Sequence, residues 1–354
     1  MATMERNSVY LSHELRSGNE STLMAPLDAK QQATLVDANA IPVIDVTPLR
    51  DGSDPAGVGR ALHAASQDVG FIYIKGHGIP EDVIDAARSC ASDFFRRDAE
   101  TKKAVKVSAQ HRGWLDAGDA VMVDDGQPDL KESFVWGYQD ANGETPEDSP
   151  LRGPNQWPEF LPDMQEKSMA YFHHVHDVAG HLMRGFALGL GLDENFFLQT
   201  ASRPLSRASY VSYPAHPEDS PDDLFGVAPH TDFGVLTVLC QDSLGGLEVR
   251  DVHDNWIEAT PIDGTLVVNV GDLLSRWTGG AYRSTPHRVV NMSGQERLSL
   301  VLAYDPDPDT IIDARDVNGP GFAAADAPIT CSDYLVWRFA KAFSYRRETP
   351  TPNS

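Results

Sequence analysis

The sequence is poor in cysteine, in basic residues and in long apolar runs. Only three cysteines, Cys90, Cys240 and Cys331, occur among 354 residues. Their wide spacing excludes a disulfide framework and a Cys-x-x-Cys zinc site, and it points to a reducing, cytoplasmic setting. Lysine and arginine total 29 against 52 acids, a formal charge of −23. A chain so acidic is repelled by phosphate backbones, so nucleic acid is not an expected partner. No run approaches the ~18 apolar residues of a membrane span, and no membrane association is expected. The first 30 residues lack the apolar core of a secretory signal. What remains is a globular composition, 41 % hydrophobic and 23 % charged, long enough to bury a sizeable core.

Residues 1–40 are polar and weakly periodic, and they read as a flexible arm with a short helix around 29–37. A strand at 41–46, helical spacing over 56–68, a β-rich run at 70–75 and a helix from about Pro80 to Phe95 make a mixed α/β front part. Residues 107–163 are rich in Gly, Pro and Asp and read as irregular. A long amphipathic helix follows over about 163–188, with a stop at Gly189-Leu190-Gly191. From 208 to 304 seven short β-rich runs alternate with turn residues, which predicts a barrel or two-sheet jelly roll. A last helix over 332–346 presents Phe339 and Phe343 on one stripe, suited to packing on that barrel. The expected division is an arm (1–40), an N-terminal mixed region (41–200), a β domain (201–310) and a C-terminal helix and tail (311–354). Nothing in the sequence sets an oligomeric state.

Twelve histidines occur. His173 and His176 stand at i, i+3 on the long helix, a spacing open to metal. No acid or cysteine is matched to them, so the reading there is structural. His230-Thr231-Asp232 is different, because residues i and i+2 of a strand share a face and can bind one ion. His287 follows Pro286 and opens a β-rich run, which makes it the best third ligand. Two imidazoles and one carboxylate form the facial set of non-haem iron(II) sites and leave coordination positions open. Ten residues on, Arg297 and Ser299 also share a strand face. A guanidinium can hold a carboxylate bidentately and a hydroxyl can add a donor. An arginine inside a barrel requires an anion; the alternative is an outward arginine in a surface ion pair.

The chain resembles the isopenicillin N synthase-like branch of the iron(II)- and 2-oxoglutarate-dependent dioxygenases. The resemblance rests on Ile41-Pro-Val-Ile-Asp45, Gly70-Phe-Ile-Tyr-Ile-Lys-Gly-His-Gly78, Ser212-Tyr-Pro214, His230-Thr-Asp232, Gly245-Gly-Leu-Glu-Val249, Asn269-Val-Gly-Asp272, Ser284-Thr-Pro-His-Arg-Val289 and Arg297-Leu-Ser299, in family order over about residues 41–345. It implies a mainly β fold with flanking helices, a double-stranded β-helix (jelly-roll) core with a mixed α/β N-terminal region packed on it. It implies that His230, Asp232 and His287 are the catalytic iron ligands. Arg297 and Ser299 would hold the distal carboxylate of 2-oxoglutarate, and Tyr213 would contact the cosubstrate. One departure is Val211, where plant members usually carry Asn. The implied reaction consumes O2 and 2-oxoglutarate, with ascorbate as an accessory reductant, and releases succinate and CO2 while a C–H bond is oxidised. Hydroxylation is the default outcome, with desaturation, ring closure and demethylation as variants.

Glu132, Phe134 and Phe233 are the expected contacts to the substrate, a small and amino-acid-like metabolite by analogy. Two rivals stand beside this reading. One is an iron oxidase of the same fold that does not consume 2-oxoglutarate. The other is a non-catalytic small-molecule binding protein.

Overall fold

The computed structural model describes residues 41–121, 127–139, 149–215 and 224–347. The expected arm at 1–40 and the end of the tail lie outside the described residues. The strands are β1 (Val43–Asp45), β2 (Phe71–Lys75), β3 (Gly113–Leu115), β4 (Glu132–Gly137), β5 (Arg207–Tyr213), β6 (Val227–His230), β7 (Leu236–Gln241), β8 (Leu247–Arg250), β9 (Trp256–Glu258), β10 (Thr265–Val270), β11 (His287–Val289), β12 (Arg297–Tyr304), β13 (Ile311–Ile312) and β14 (Ile329–Thr330). The helices are α1 (Thr47–Arg50), α2 (Pro55–Asp68), α3 (Glu81–Phe95), α4 (Ala99–Lys102), α5 (Met164–Gly189), α6 (Asp272–Trp277), α7 (Ala314–Asn318), α8 (Cys331–Ala342) and α9 (Ser344–Arg347).

Two sheets form the core. The larger runs β1-β2-β10-β7-β12-β5-β4-β3 and the smaller β6-β11-β8-β9. This is the expected jelly roll with flanking helices. The N-terminal strands are built into it: β2 pairs with β10 at one side of the large sheet, and β4 pairs with β5 at the other. No helix among the described residues is long and apolar enough to cross a membrane.

Local chemistry explains the helices that brace the sheet. Pro55 opens α2, and the Asp54 carboxylate accepts from Gly57 N at 2.8 Å, satisfying a free helix-end donor. In α5 the buried positions Phe172, Val175, Ala179, Leu182 and Phe186 recur every three or four residues, the signature of a helix with one face in the core. The two helices cross closely. A Cβ on Gly59 would stand 2.9 Å from Gly185 O, and one on Gly189 would stand 2.5 Å from Gly59 O. Glycine is required there because any side chain would force the backbones apart.

Two expectations change. The stretch read as irregular, 107–163, contains β3 and β4. The alternation of β4 is hidden because both of its faces are buried, as in the interior of a two-sided sheet. The single tail helix is two, because Phe343 is extended (φ −117°, ψ 119°) and bridges to Ala120.

Candidate active site

A cavity of about 210 Å³ lies between the two sheets. His230, Asp232 and His287 line it, and their ligand atoms all lie within 4.8 Å of one another. One ion can bridge atoms so placed, and no other such group of three occurs among the described residues. His230 ends β6, His287 begins β11, and the two are register partners in the small sheet. Asp232 differs from expectation. It lies beyond the end of β6, in the turn before β7, so the strand alternation that singled it out does not operate at this position.

The hydrogen bonds around the three residues fix their reactive atoms. His230 Nδ1 lies 2.8 Å from Ala228 O, and His287 Nδ1 lies 3.1 Å from Thr285 O. A carbonyl only accepts, so both Nδ1 atoms carry a proton, which leaves Nε2 as the atom each ring can offer to a metal. Each Nε2 stands 3.7 Å from Asp232 Oδ1. Asn269 Nδ2 donates to Asp232 Oδ2 at 2.7 Å. Burial holds the His230 imidazolium pKa well below its usual value, and neighbouring His287 lowers it further. Burial would raise Asp232, but His287, His230 and the Asn269 bond overcome it and keep the carboxylate ionised. Two imidazoles and one carboxylate suit iron(II), and the set contains no thiolate that would favour zinc or copper.

Arg297 lies farther along the cavity at 1 % exposure. Its Nε donates to Gly245 O at 2.6 Å and its Nη1 to Ser299 Oγ at 2.8 Å. Its Nη2 is buried with no hydrogen-bond partner among the described residues, an arrangement that calls for an anion. Tyr213 is the register partner of Arg297, and the guanidinium lies 4.8 Å from its ring centre. Val211 also lines the cavity and offers no hydrogen bond there.

The structure brings together seven of the nine residues singled out in the sequence: His230, Asp232, His287, Arg297, Ser299, Tyr213 and Phe233 all line the one cavity. Glu132 and Phe134 do not. They sit on the opposite face of β4, while Ser133 and Val135 face the cavity. Glu132 accepts from Lys102 Nζ at 2.5 Å and from Trp114 Nε1 at 2.8 Å. Phe134 packs on Phe94 and Trp157. A one-residue shift along a strand exchanges its faces, and the expected pair was on the wrong one. Arg288 turns away from the site, as alternation predicts, and pairs with Glu248 at 2.5 Å. His176 on the long helix stacks on Phe172 and meets Ser206 Oγ at 3.2 Å, in keeping with its structural reading. Phe339 and Phe343, the stripe expected to pack on the barrel, also line the cavity, as do Lys131, Arg207 and His111, of which the last two carried no local signal in the sequence.

A jelly roll with two histidines and one carboxylate between its sheets defines a non-haem metal oxygenase. Residues 41–160 match the family model described as non-haem dioxygenase in morphine synthesis N-terminal, and residues 202–306 match the 2OG-Fe(II) oxygenase superfamily. The chain is 33 % identical over 306 residues to a homoarginine-6-hydroxylase of Glycine max, spanning 80 % of this chain and 90 % of the relative. It is 33 % identical over 284 residues to validamycin A dioxygenase of Streptomyces hygroscopicus subsp. limoneus, spanning 76 % and 78 %. Among solved structures it is similar to a full-length Neurospora crassa protein in complex with alpha-KG and thymine, with TM-score 0.76 and 28 % identity over 88 % of this chain and 99 % of that one. The chain belongs to the 2-oxoglutarate- and iron(II)-dependent dioxygenases. It is an oxidoreductase with iron and 2-oxoglutarate as its cofactor and cosubstrate, which favours the leading expectation over both of its rivals.

Proposed function

We propose that the chain hydroxylates a C–H bond of a small, amino-acid-like metabolite at a centre formed by His230, Asp232 and His287. The observation that carries this reading is the buried, unpartnered Nη2 of Arg297 in the same cavity as those three residues. His230 and His287 would hold iron(II) through Nε2 and Asp232 through a carboxylate oxygen. Arg297, with Ser299 beside it and Tyr213 against its face, would bind the distal carboxylate of 2-oxoglutarate. Iron(II) with 2-oxoglutarate supplies oxygen activation, coupled to loss of CO2 and formation of succinate. The protein fixes both imidazole tautomers, keeps Asp232 ionised and shields the site from bulk water. Phe233, next to Asp232 on the cavity wall, would touch the substrate.

The amino-acid-like substrate draws support from the homoarginine named for one relative. The reading includes one structural unit made of the 41–200 and 201–310 regions, with strands of both in the large sheet. It also includes a cytoplasmic setting, in line with three buried free cysteines, and a small-molecule rather than nucleic-acid partner.

The test is to add 2-oxoglutarate to the iron(II)-loaded protein without oxygen and record the visible spectrum. Chelation of iron(II) by a 2-oxo acid gives a weak charge-transfer band. The reading requires the band in the unaltered protein and a weaker band in Arg297→Ala at equal cosubstrate concentration. Absence of the band from protein shown to hold iron would overturn the cosubstrate assignment.

A further inference from the structure

Lys131 stands in line with Arg297. β4 and β5 pair Glu132 with Ser212, and β5 and β12 pair Tyr213 with Arg297. One residue before the β4 ladder, Lys131 therefore falls beside Tyr213. Lys131, Tyr213 and Arg297 form one row across three neighbouring strands, about 10 Å from end to end, and all three line the cavity. The opposite end, marked by Arg207 and the Phe339 ring 4.7 Å from it, lies six register positions further along β5.

The two cations of that row reach the small sheet at different levels. Arg297 Nε donates to Gly245 O, four residues short of Val249, the register partner of His287. The Lys131 ammonium lies 3.5 Å from Asp129 Oδ2, and Asp129 Oδ1 accepts from Ala228 N at 3.0 Å. Ala228 is the residue whose carbonyl accepts from His230 Nδ1. Lys131 is thus delivered closer to the metal-binding residues than Arg297 is, and it is among the charges that lower the His230 pKa.

The ammonium is buried and underused. The Lys131 side chain is 15 % exposed. Its ionic partner stands too far away for a strong hydrogen bond, and Asp129 Oδ2 is itself left without one. An ammonium carries three donors, and burying them empty is costly. Asp129 does not line the cavity, whereas Lys131 does, so the counter-charge sits behind the cation. Val211, Val227, Leu247 and Val289 line the same stretch and supply no side-chain donor. A five-carbon 2-oxo diacid has two anionic ends, and Arg297 answers one of them. On the active-site reading given above, we infer that Lys131 is a second cosubstrate-binding residue, which donates to the carboxylate beside the keto group while Arg297 holds the distal carboxylate.

Two 2-oxo acids separate the roles of the two cations without turnover. 2-Oxoglutarate and 2-oxopentanoate, which has a methyl group in place of the distal carboxylate, are titrated into iron(II)-loaded protein without oxygen, and the visible band is recorded. Lys131→Met should weaken both acids about tenfold or more, the effect of losing a hydrogen bond to a charged group. Arg297→Ala should weaken 2-oxoglutarate alone. Lys131→Arg should recover part of the loss, and iron(II) affinity in Lys131→Met, read by chelator competition, should stay within threefold. At saturation with 2-oxoglutarate the band maximum should move in Lys131→Met and hold its position in Arg297→Ala. That comparison decides if 2-oxopentanoate gives no band with the unaltered protein, and Lys131→Gln takes the place of Lys131→Met if the latter does not fold. Binding of both acids within twofold of the unaltered protein overturns the proposal. So does a loss confined to 2-oxoglutarate, or one that follows a fall in iron affinity. Absence of a 2-oxoglutarate band from the unaltered protein overturns the active-site reading instead.

Discussion

His230 and His287 are direct partners across the β6–β11 ladder, and each gives its Nδ1 proton to the carbonyl two residues before it. The small sheet thereby places the two imidazoles side by side, with ring centres 4.3 Å apart. Asp232 has no strand of its own. Its side chain is held by Asn269 at 2.7 Å, and its carbonyl accepts from Asp272 N at 2.7 Å. The Asn269-Val-Gly-Asp272 segment therefore does for Asp232 what the ladder does for the histidines.

Asn269→Ala is accordingly expected to weaken iron(II) binding by about 10–100-fold, the usual effect of removing a bond that orients a metal ligand. Competition against a chelator of known affinity measures it. An affinity within threefold of the unaltered protein would show that Asp232 is held well enough without Asn269.

The histidines, Arg297 and Ser299 were legible because their signals are local: a two-residue spacing, a proline before a strand, a cation in a β-rich run. Arg207 was not, because the cavity it lines is made by long-range pairing of β4 with β5 and β5 with β12. Glu132 and Phe134 were misplaced for a related reason. The segment Glu132–Gly137 is buried on both faces, so alternation could not tell which face met the cavity. The long helix read well because thirteen buried positions share its core-facing side, a pattern that neighbours do not alter.

The place of Glu132 sets a second expectation. Lys102 is buried at 5 % exposure, and its ammonium depends on the Glu132 carboxylate at 2.5 Å. Glu132→Ala leaves that charge unpaired and should cost about 3 kcal/mol of stability. Urea unfolding reads the loss. The 2-oxoglutarate affinity of the folded fraction should be unchanged, because the residue faces away from the cavity. A weaker 2-oxoglutarate complex with normal stability would contradict the assignment.

His176 sets a pH dependence. Burial lowers its pKa from 6.5 to about 4. In the unfolded chain it takes a proton below 6.5, whereas in the fold it stays neutral down to about 4. Stability linked to this group is therefore complete above pH 6.5 and lost as pH falls toward 4, up to about 3 kcal/mol in all. In His176→Gln the decline attributable to this group should vanish from unfolding curves taken between pH 7 and 4. An unaltered slope would place the acid sensitivity elsewhere.

Arg338 ties the C-terminal helix to the turn carrying Asp232. From α8 its Nη1 reaches Asp272 Oδ2 at 2.9 Å, and its guanidinium lies 4.2 Å from the Phe233 ring centre. Asp272 also accepts from Ser284 Oγ at 2.6 Å, three residues before His287. One guanidinium thus braces the turn carrying Asp232 and Phe233 and, through Asp272, the segment leading to His287. Arg338→Met keeps the side-chain stem and removes the charge. Iron(II) affinity should fall on the order of tenfold, since the bonds that orient Asp232 lose their anchor, and Arg338→Lys should restore part of it by keeping a cation beside Asp272. If α8 served only as a cover, Arg338→Met would lower the melting temperature and leave the iron affinity where it was. The chelator competition and the thermal scan, run on the same samples, separate these two roles.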